Sequence, residues 1–190
     1  MKALGISGSP NKNGNTAFSV QYALSILENN NIDTQYISLA DMNINYCIGC
    51  WQCQKDRTCI HSDDMDIIYN AFRTSDIIIL GSPVYMGMVS GQMKTIMDRC
   101  VLFRPSYQLP LELEGKIGCG IACGGFRNGG QETTLQNIHT FLLQQNIKVI
   151  SDGFPYSHAG ATIVGDAKSD EIGKQTIENL MKNIITMIGR

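Results

Sequence analysis

The chain has 190 residues, of which 43% are hydrophobic and 17% charged, with a formal net charge of −2. That length suits one domain of ordinary size, 1–190, able to bury roughly 70% of its unfolded surface without disulfide staples. The charge balance argues against a nucleic-acid binder, and no stretch approaches the ~20 apolar residues of a membrane span.

Met1-Lys2-Ala3-Leu4-Gly5 enters a strand-like segment with no apolar leader, so a cytoplasmic protein is expected. Lys2–Ile6 reads as a short buried strand, stopped by Ser7-Gly8-Ser9-Pro10. Thr16 to Glu28 reads as a helix, with Val20, Leu24 and Leu27 on one face. Asp33–Ser38 alternates like an outer strand, and residues 39–61 then break the rhythm with a cysteine-rich loop. Asp63–Phe72 is a predicted helix and Asp76–Gly81 a strand. Ser90 opens a helix with Met93, Ile96, Met97 and Cys100 on one stripe. After a loop around Phe103–Tyr107, Lys116–Ala122 reads as a strand. A helix through about Gln145 turns Leu135, Ile138 and Leu142 inward, and Ile147–Ile150 reads as a fifth strand. A last helix, from about Asp170 to Ile188, carries a stripe of Ile177, Leu180, Met181, Ile184, Ile185 and Ile188. Strands separated by helix-length patterns predict right-handed βαβ units. Five strands and five helices match an α/β fold: a flavodoxin-like, doubly wound parallel sheet of order 2-1-3-4-5 with helices on both faces.

Ligands of such sheets bind at the carboxyl ends of the central strands. The first of those ends carries Gly8-Ser9-Pro10-Asn11-Lys12-Asn13-Gly14-Asn15-Thr16, running straight into a helix. Glycines let backbone amides approach an anion, and a helix N-terminus adds partial positive charge and unpaired N–H groups. Ser9, Asn15 and Thr16 offer donors, and Lys12 a point charge. The loop lacks the Gly-Lys-Ser/Thr ending of a nucleotide triphosphatase and the spaced glycines of a dinucleotide site. It suits one terminal phosphate; a polar turn with Thr16 as an ordinary cap is the plainer reading.

Three segments together carry a family resemblance. They are Gly8-Ser9-Pro10 through Gly14-Asn15-Thr16, Ser82-Pro83-Val84-Tyr85-Met86-Gly87, and Ser90-Gly91-Gln92 with Lys94 and Asp98-Arg99. In order and spacing they resemble the NAD(P)H-dependent FMN reductase-like flavoproteins over nearly the whole chain. The resemblance implies noncovalent FMN, with its phosphate on Ser9, Asn15 and Thr16 and Lys12 nearby. Pro83, Val84, Tyr85, Met86 and Gly87 would line the ribityl chain and one ring edge. Gly124, Gly125 and Gly129 would meet the other polar edge through backbone N–H groups, which favour the reduced, more negative flavin. Lys94 and Asp98, one turn apart, read equally as a surface ion pair.

Cys47, Cys50, Cys53 and Cys59 fall within 13 residues. Thiolates spaced by two residues can converge on one iron–sulfur cube, and a longer last step lets the chain close around it. The pattern resembles the iron–sulfur flavoprotein branch of the same family. That branch implies a 4Fe–4S cluster beside FMN, fed singly by a ferredoxin-like donor and drained to a small-molecule acceptor. Two other readings stand beside it: a zinc site, which this spacing suits less well, and free thiols or a reversible disulfide. Without a cluster the chain would be an NAD(P)H-dependent FMN or quinone reductase. Cys100, Cys119 and Cys123 read as core thiols, and His61, His139 and His158 fit no metal spacing. Apolar residues in Val101-Leu102-Phe103 and from Tyr107 to Leu113 suggest a subunit contact, and the resemblance implies a homodimer or homotetramer.

Overall fold

The structure, a computed structural model, describes residues 1–104 and 109–189. Its elements run β1 (Lys2–Ser7), α1 (Asn15–Glu28), β2 (Asp33–Ser38), α2 (Cys53–Asp56), α3 (Met65–Thr74), β3 (Ile77–Pro83) and α4 (Gly91–Arg99). A 3-10 turn, Cys100–Phe103, leads on to β4 (Ile117–Gly124), α5 (Gln131–Gln144), β5 (Lys148–Val149), β6 (Ala161–Val164) and α6 (Glu171–Met187). The sheet order is β2-β1-β3-β4-β5, with every pairing parallel.

Period-two alternation along the strands divides the core. Ile78 and Leu80 of β3 face α3, α4 and α5, among Ile68, Phe72, Met93, Ile138 and Leu142. Ile77 and Ile79 face α1 and α6, among Val20, Leu27, Ile177 and Leu180. Strand β4 spends small residues on one side of this division. A Cβ at Gly118 or Gly120 would press within 3.1 Å of Leu142 or Leu135 side-chain atoms. The bare backbone there lets α5 lie close to the sheet.

Two departures from the predicted elements follow from element length. The fifth strand is split: β5 pairs Ile117 and Gly118, and after residues 150–160 the chain returns as β6 beside Ile121–Gly124. The cysteine segment also carries a sixth helix, α2, only four residues long. Neither is long enough to show a hydrophobic period. Three residues of the expected subunit contact are not available to a partner. Leu102, Phe103 and Leu113 are at most 2% exposed. Phe103 packs edge-on against Tyr69 and tilted against Phe72, so these residues serve the chain's own core. Tyr107, in the same expected contact, lies outside the described residues. Among the described residues no helix is long and apolar enough to cross a membrane.

Candidate functional site

The loops after β1, β3 and β4 meet at the carboxyl end of the sheet. They enclose a cavity of about 430 Å³ lined by Ser9, Asn11, Gly14, Asn15, Thr16, Pro83, Val84, Tyr85, Cys123, Gly124 and Gly125. Helix α1 opens onto it from Gly14, which has no side chain to cap the first turn. The first N–H groups of a helix have no partner within it, so this end offers donors and partial positive charge together. The loop before it is held by its own polar atoms. Asn11 N donates to Ser9 Oγ at 3.1 Å, Asn13 N to Asn11 Oδ1 at 3.0 Å, and Gly8 N to Gly81 O at 2.8 Å.

Ser90 braces the floor, a role sequence reading did not assign. It caps α4 by accepting from Met93 N at 3.1 Å, while its hydroxyl donates to Gly8 O at 2.6 Å. Its own N–H donates to Ser82 Oγ at 2.9 Å. Gln131, 2% exposed, does the same for the third loop, accepting from Gly129 N at 2.9 Å and donating to Phe126 O at 2.7 Å. Cys123 lines the cavity yet is 7% exposed; burial pushes its thiol up to about 11. It is therefore a neutral wall residue.

Four of the twelve residues expected around FMN do not line the cavity wall. Lys12 pairs instead with Asp41. Met86 and Gly87 sit in a tight turn with φ of 52° and 75°, closed by N–H···O bonds of 3.0 Å both ways between Tyr85 and Met88. That turn holds Met86 fully exposed. Gly129 has its N–H already engaged by Gln131. Asn15 is on the wall, but its side chain is tied away: Nδ2 donates to Gly165 O at 2.6 Å and Oδ1 accepts from Ala167 N at 3.1 Å. Both polar atoms of its side chain are therefore already paired within the chain.

A second cavity, of about 420 Å³, gathers Cys47, Cys50, Cys53 and Cys59 with Trp51, His61, Arg99, Phe141 and Gln145. Its base is stapled by the carboxylates of Asp63 and Asp64. Asn43 N donates to Asp64 Oδ2 at 2.7 Å, and Asn45 N to Asp63 Oδ2 at 2.9 Å. Asp63 also accepts from Met65 N at the start of α3 and forms a buried ion pair with Arg99 at 2.9 Å. Burial pushes the Asp63 carboxyl up, but Arg99, Asn45 and Met65 outweigh it and hold it well below the usual carboxylate range. The far end is tied by Gln54 Nε2 to Val101 O at 2.7 Å and Arg57 Nη1 to Leu102 O at 2.8 Å.

The four sulfurs differ in access: Cys53 is buried, Cys47 and Cys59 partly so, and Cys50 exposed. Burial pushes the Cys53 thiol up, and charge on Cys59, Cys47 or Cys50 adds to the effect. Crowded thiols of this kind ionise when a metal takes their charge. Among the described residues no three Cys, His, Asp or Glu side chains gather tightly enough for a single metal ion. A cube makes a different demand, since each thiolate binds its own iron and the four need only surround a space. The donor set and the cavity fit that demand. Lys94 and Asp98 pair on the surface at 2.6 Å, while Cys100 and Cys119 are buried.

The geometry has counterparts in known proteins. The NADPH-dependent FMN reductase family matches residues 1–162. An iron–sulfur flavoprotein of Methanocaldococcus jannaschii is 45% identical, over 99% of this chain and 97% of its own. One from Methanosarcina thermophila is 35% identical, over 99% of this chain and 95% of its own. The structure of a flavodoxin from the domain Archaea aligns with a TM-score of 0.62 at 17% identity, covering 100% of both chains, and shows the shared fold. The chain belongs to the NADPH-dependent FMN reductase family and is a flavin-dependent oxidoreductase.

Proposed function

We propose that this protein takes electrons singly from a ferredoxin-like donor into a 4Fe–4S cluster held by Cys47, Cys50, Cys53 and Cys59, and that they leave from FMN to a small acceptor. The observation that carries this reading is the convergence of all four thiols, from one segment of 13 residues, on the walls of one cavity. The family and the flavodoxin-like fold support FMN, and the names of the relatives support the cluster.

FMN supplies paired and single electron exchange when bound, and the cluster single exchange. The chain's part is to hold, orient and polarise. Ser9 Oγ, the backbone N–H groups of Asn15 and Thr16, and the positive end of α1 would receive the phosphate. Pro83, Val84 and Tyr85 would flank the ribityl chain and one ring edge, with Gly124 and Gly125 at the other. Lys12, Met86, Gly87 and Gly129 would act from outside this wall, Lys12 through long-range charge and the others by shaping the loops. Tyr85, Met86, Met88 and Phe126 are exposed apolar residues of those loops. A homodimer or homotetramer would cover them.

The test is anaerobic mixing with a reduced ferredoxin while flavin absorbance is followed. Bleaching in the wild type, lost in Cys50→Ser with FMN still bound, is the expected result. Equal bleaching of both proteins by NADPH alone, with no response to ferredoxin, would make it an NAD(P)H-dependent FMN or quinone reductase.

A further inference from the structure

The cavity lined by the four cysteines also receives Arg99, the last residue of α4 and only 2% exposed. Its guanidinium is fixed from behind. Nη1 donates to Asp63 Oδ2 at 2.9 Å and to Asn45 O at 2.8 Å, and Nη2 donates to Asp63 Oδ1 at 3.2 Å. The remaining nitrogen on the chain side, Nε, is buried and has no hydrogen-bond partner among the described residues. Arg99 cannot shed its proton, so it is a permanent donor. Native structures rarely leave such a donor unpaired, and Arg99 lines the same cavity as the four thiols.

We propose that Arg99 is a positioning residue for the iron–sulfur cluster: its Nε–H donates to a sulfur in the cysteine cavity, and its fixed charge raises the cluster's reduction potential. This rests on the reading that the four cysteines hold a cluster. On reduction one electron enters and no bond is made or broken. The cluster gains a unit of negative charge, which an adjacent cation and N–H donor favour. Asp63 serves by orientation, because its two oxygens lock the guanidinium plane.

The experiment uses the wild-type protein labelled with ¹⁵N-arginine, reduced without oxygen and studied by pulsed EPR, together with Arg99→Lys and Arg99→Gln. The expected result is a resolved arginine ¹⁵N coupling to the reduced cluster, absent in Arg99→Lys. In molecules that retain their cluster, its potential should fall in Arg99→Lys and further in Arg99→Gln, with the flavin potential unchanged. A full complement of iron with no ¹⁵N coupling in the wild type would overturn the inference, whether or not either variant folds. Unshifted potentials in both variants would do the same. Wild-type protein holding FMN but no iron would instead overturn the reading beneath it, and the inference with it.

Discussion

The two cavities are nearly equal in size, about 430 and 420 Å³, and are built by opposite means. The strand-end cavity is a property of the fold. Three parallel strands end on the same side of the sheet, a helix begins there, and the walls are largely backbone and short side chains. The cysteine cavity is a property of one loop. Its walls are thiols and long side chains, and it keeps its shape because Asp63 and Asp64 pin residues 43–45 while Gln54 and Arg57 pin the other end. A site made of strand ends should tolerate the loss of one side chain. A stapled loop should fail when one staple is cut.

The sharpest test of that contrast is at the sulfurs. Cys53→Ser is expected to lose iron and acid-labile sulfide almost completely while FMN binds as before, as metal analysis and flavin fluorescence would show. Loss of both groups together would mean that the cavities are not separately built. Next comes the staple. Asp63→Ala leaves Arg99 buried without its counter-charge, a change that typically costs about 3–5 kcal/mol, readable as a lower urea midpoint. Because the Asp63 carboxyl is held below its ordinary value, its contribution is complete above about pH 4 and is lost as pH falls below that. Asp63→Asn should therefore lose part of the acid dependence of unfolding between about pH 4 and 2, followed by circular dichroism.

Smaller effects are expected at the other cavity. Ser90→Ala removes a helix cap and the brace on Gly8, and should weaken FMN binding by roughly fivefold, near the worth of one hydrogen bond. Isothermal titration would measure it, and a loss beyond a hundredfold would show that the loop depends on a single brace after all. Lys12→Ala should change least. Its pair with Asp41 is exposed on both sides, and such pairs contribute about 0–1 kcal/mol.

What could be read from the sequence follows the same division. The sheet order and the strand-end loop were legible because Ile77–Leu80, the α4 stripe and Gly8–Thr16 each carry a local pattern. The split of the fifth strand was not, since Lys148–Val149 and Ala161–Val164 are too short to show alternation. The cysteines were legible as a cluster by spacing alone. Arg99 was not, although it sits in a quoted signature beside Asp98. One position along a helix turns a side chain by about 100°, so Asp98 meets solvent while Arg99 meets Asp63, 36 residues earlier. Nor could spacing show that Gly129 and the Asn15 side chain are already engaged. Those partners come from Gln131 and from the loop after β6.

The central claim is that one chain carries two differently built redox sites. The most direct measurement is iron, acid-labile sulfide and FMN per chain in protein prepared without oxygen. About four iron, four sulfide and one FMN per chain are predicted from a cube with four cysteine ligands beside one flavin. One FMN with neither iron nor sulfide would contradict it, and would leave the cysteine loop with no part in electron transfer.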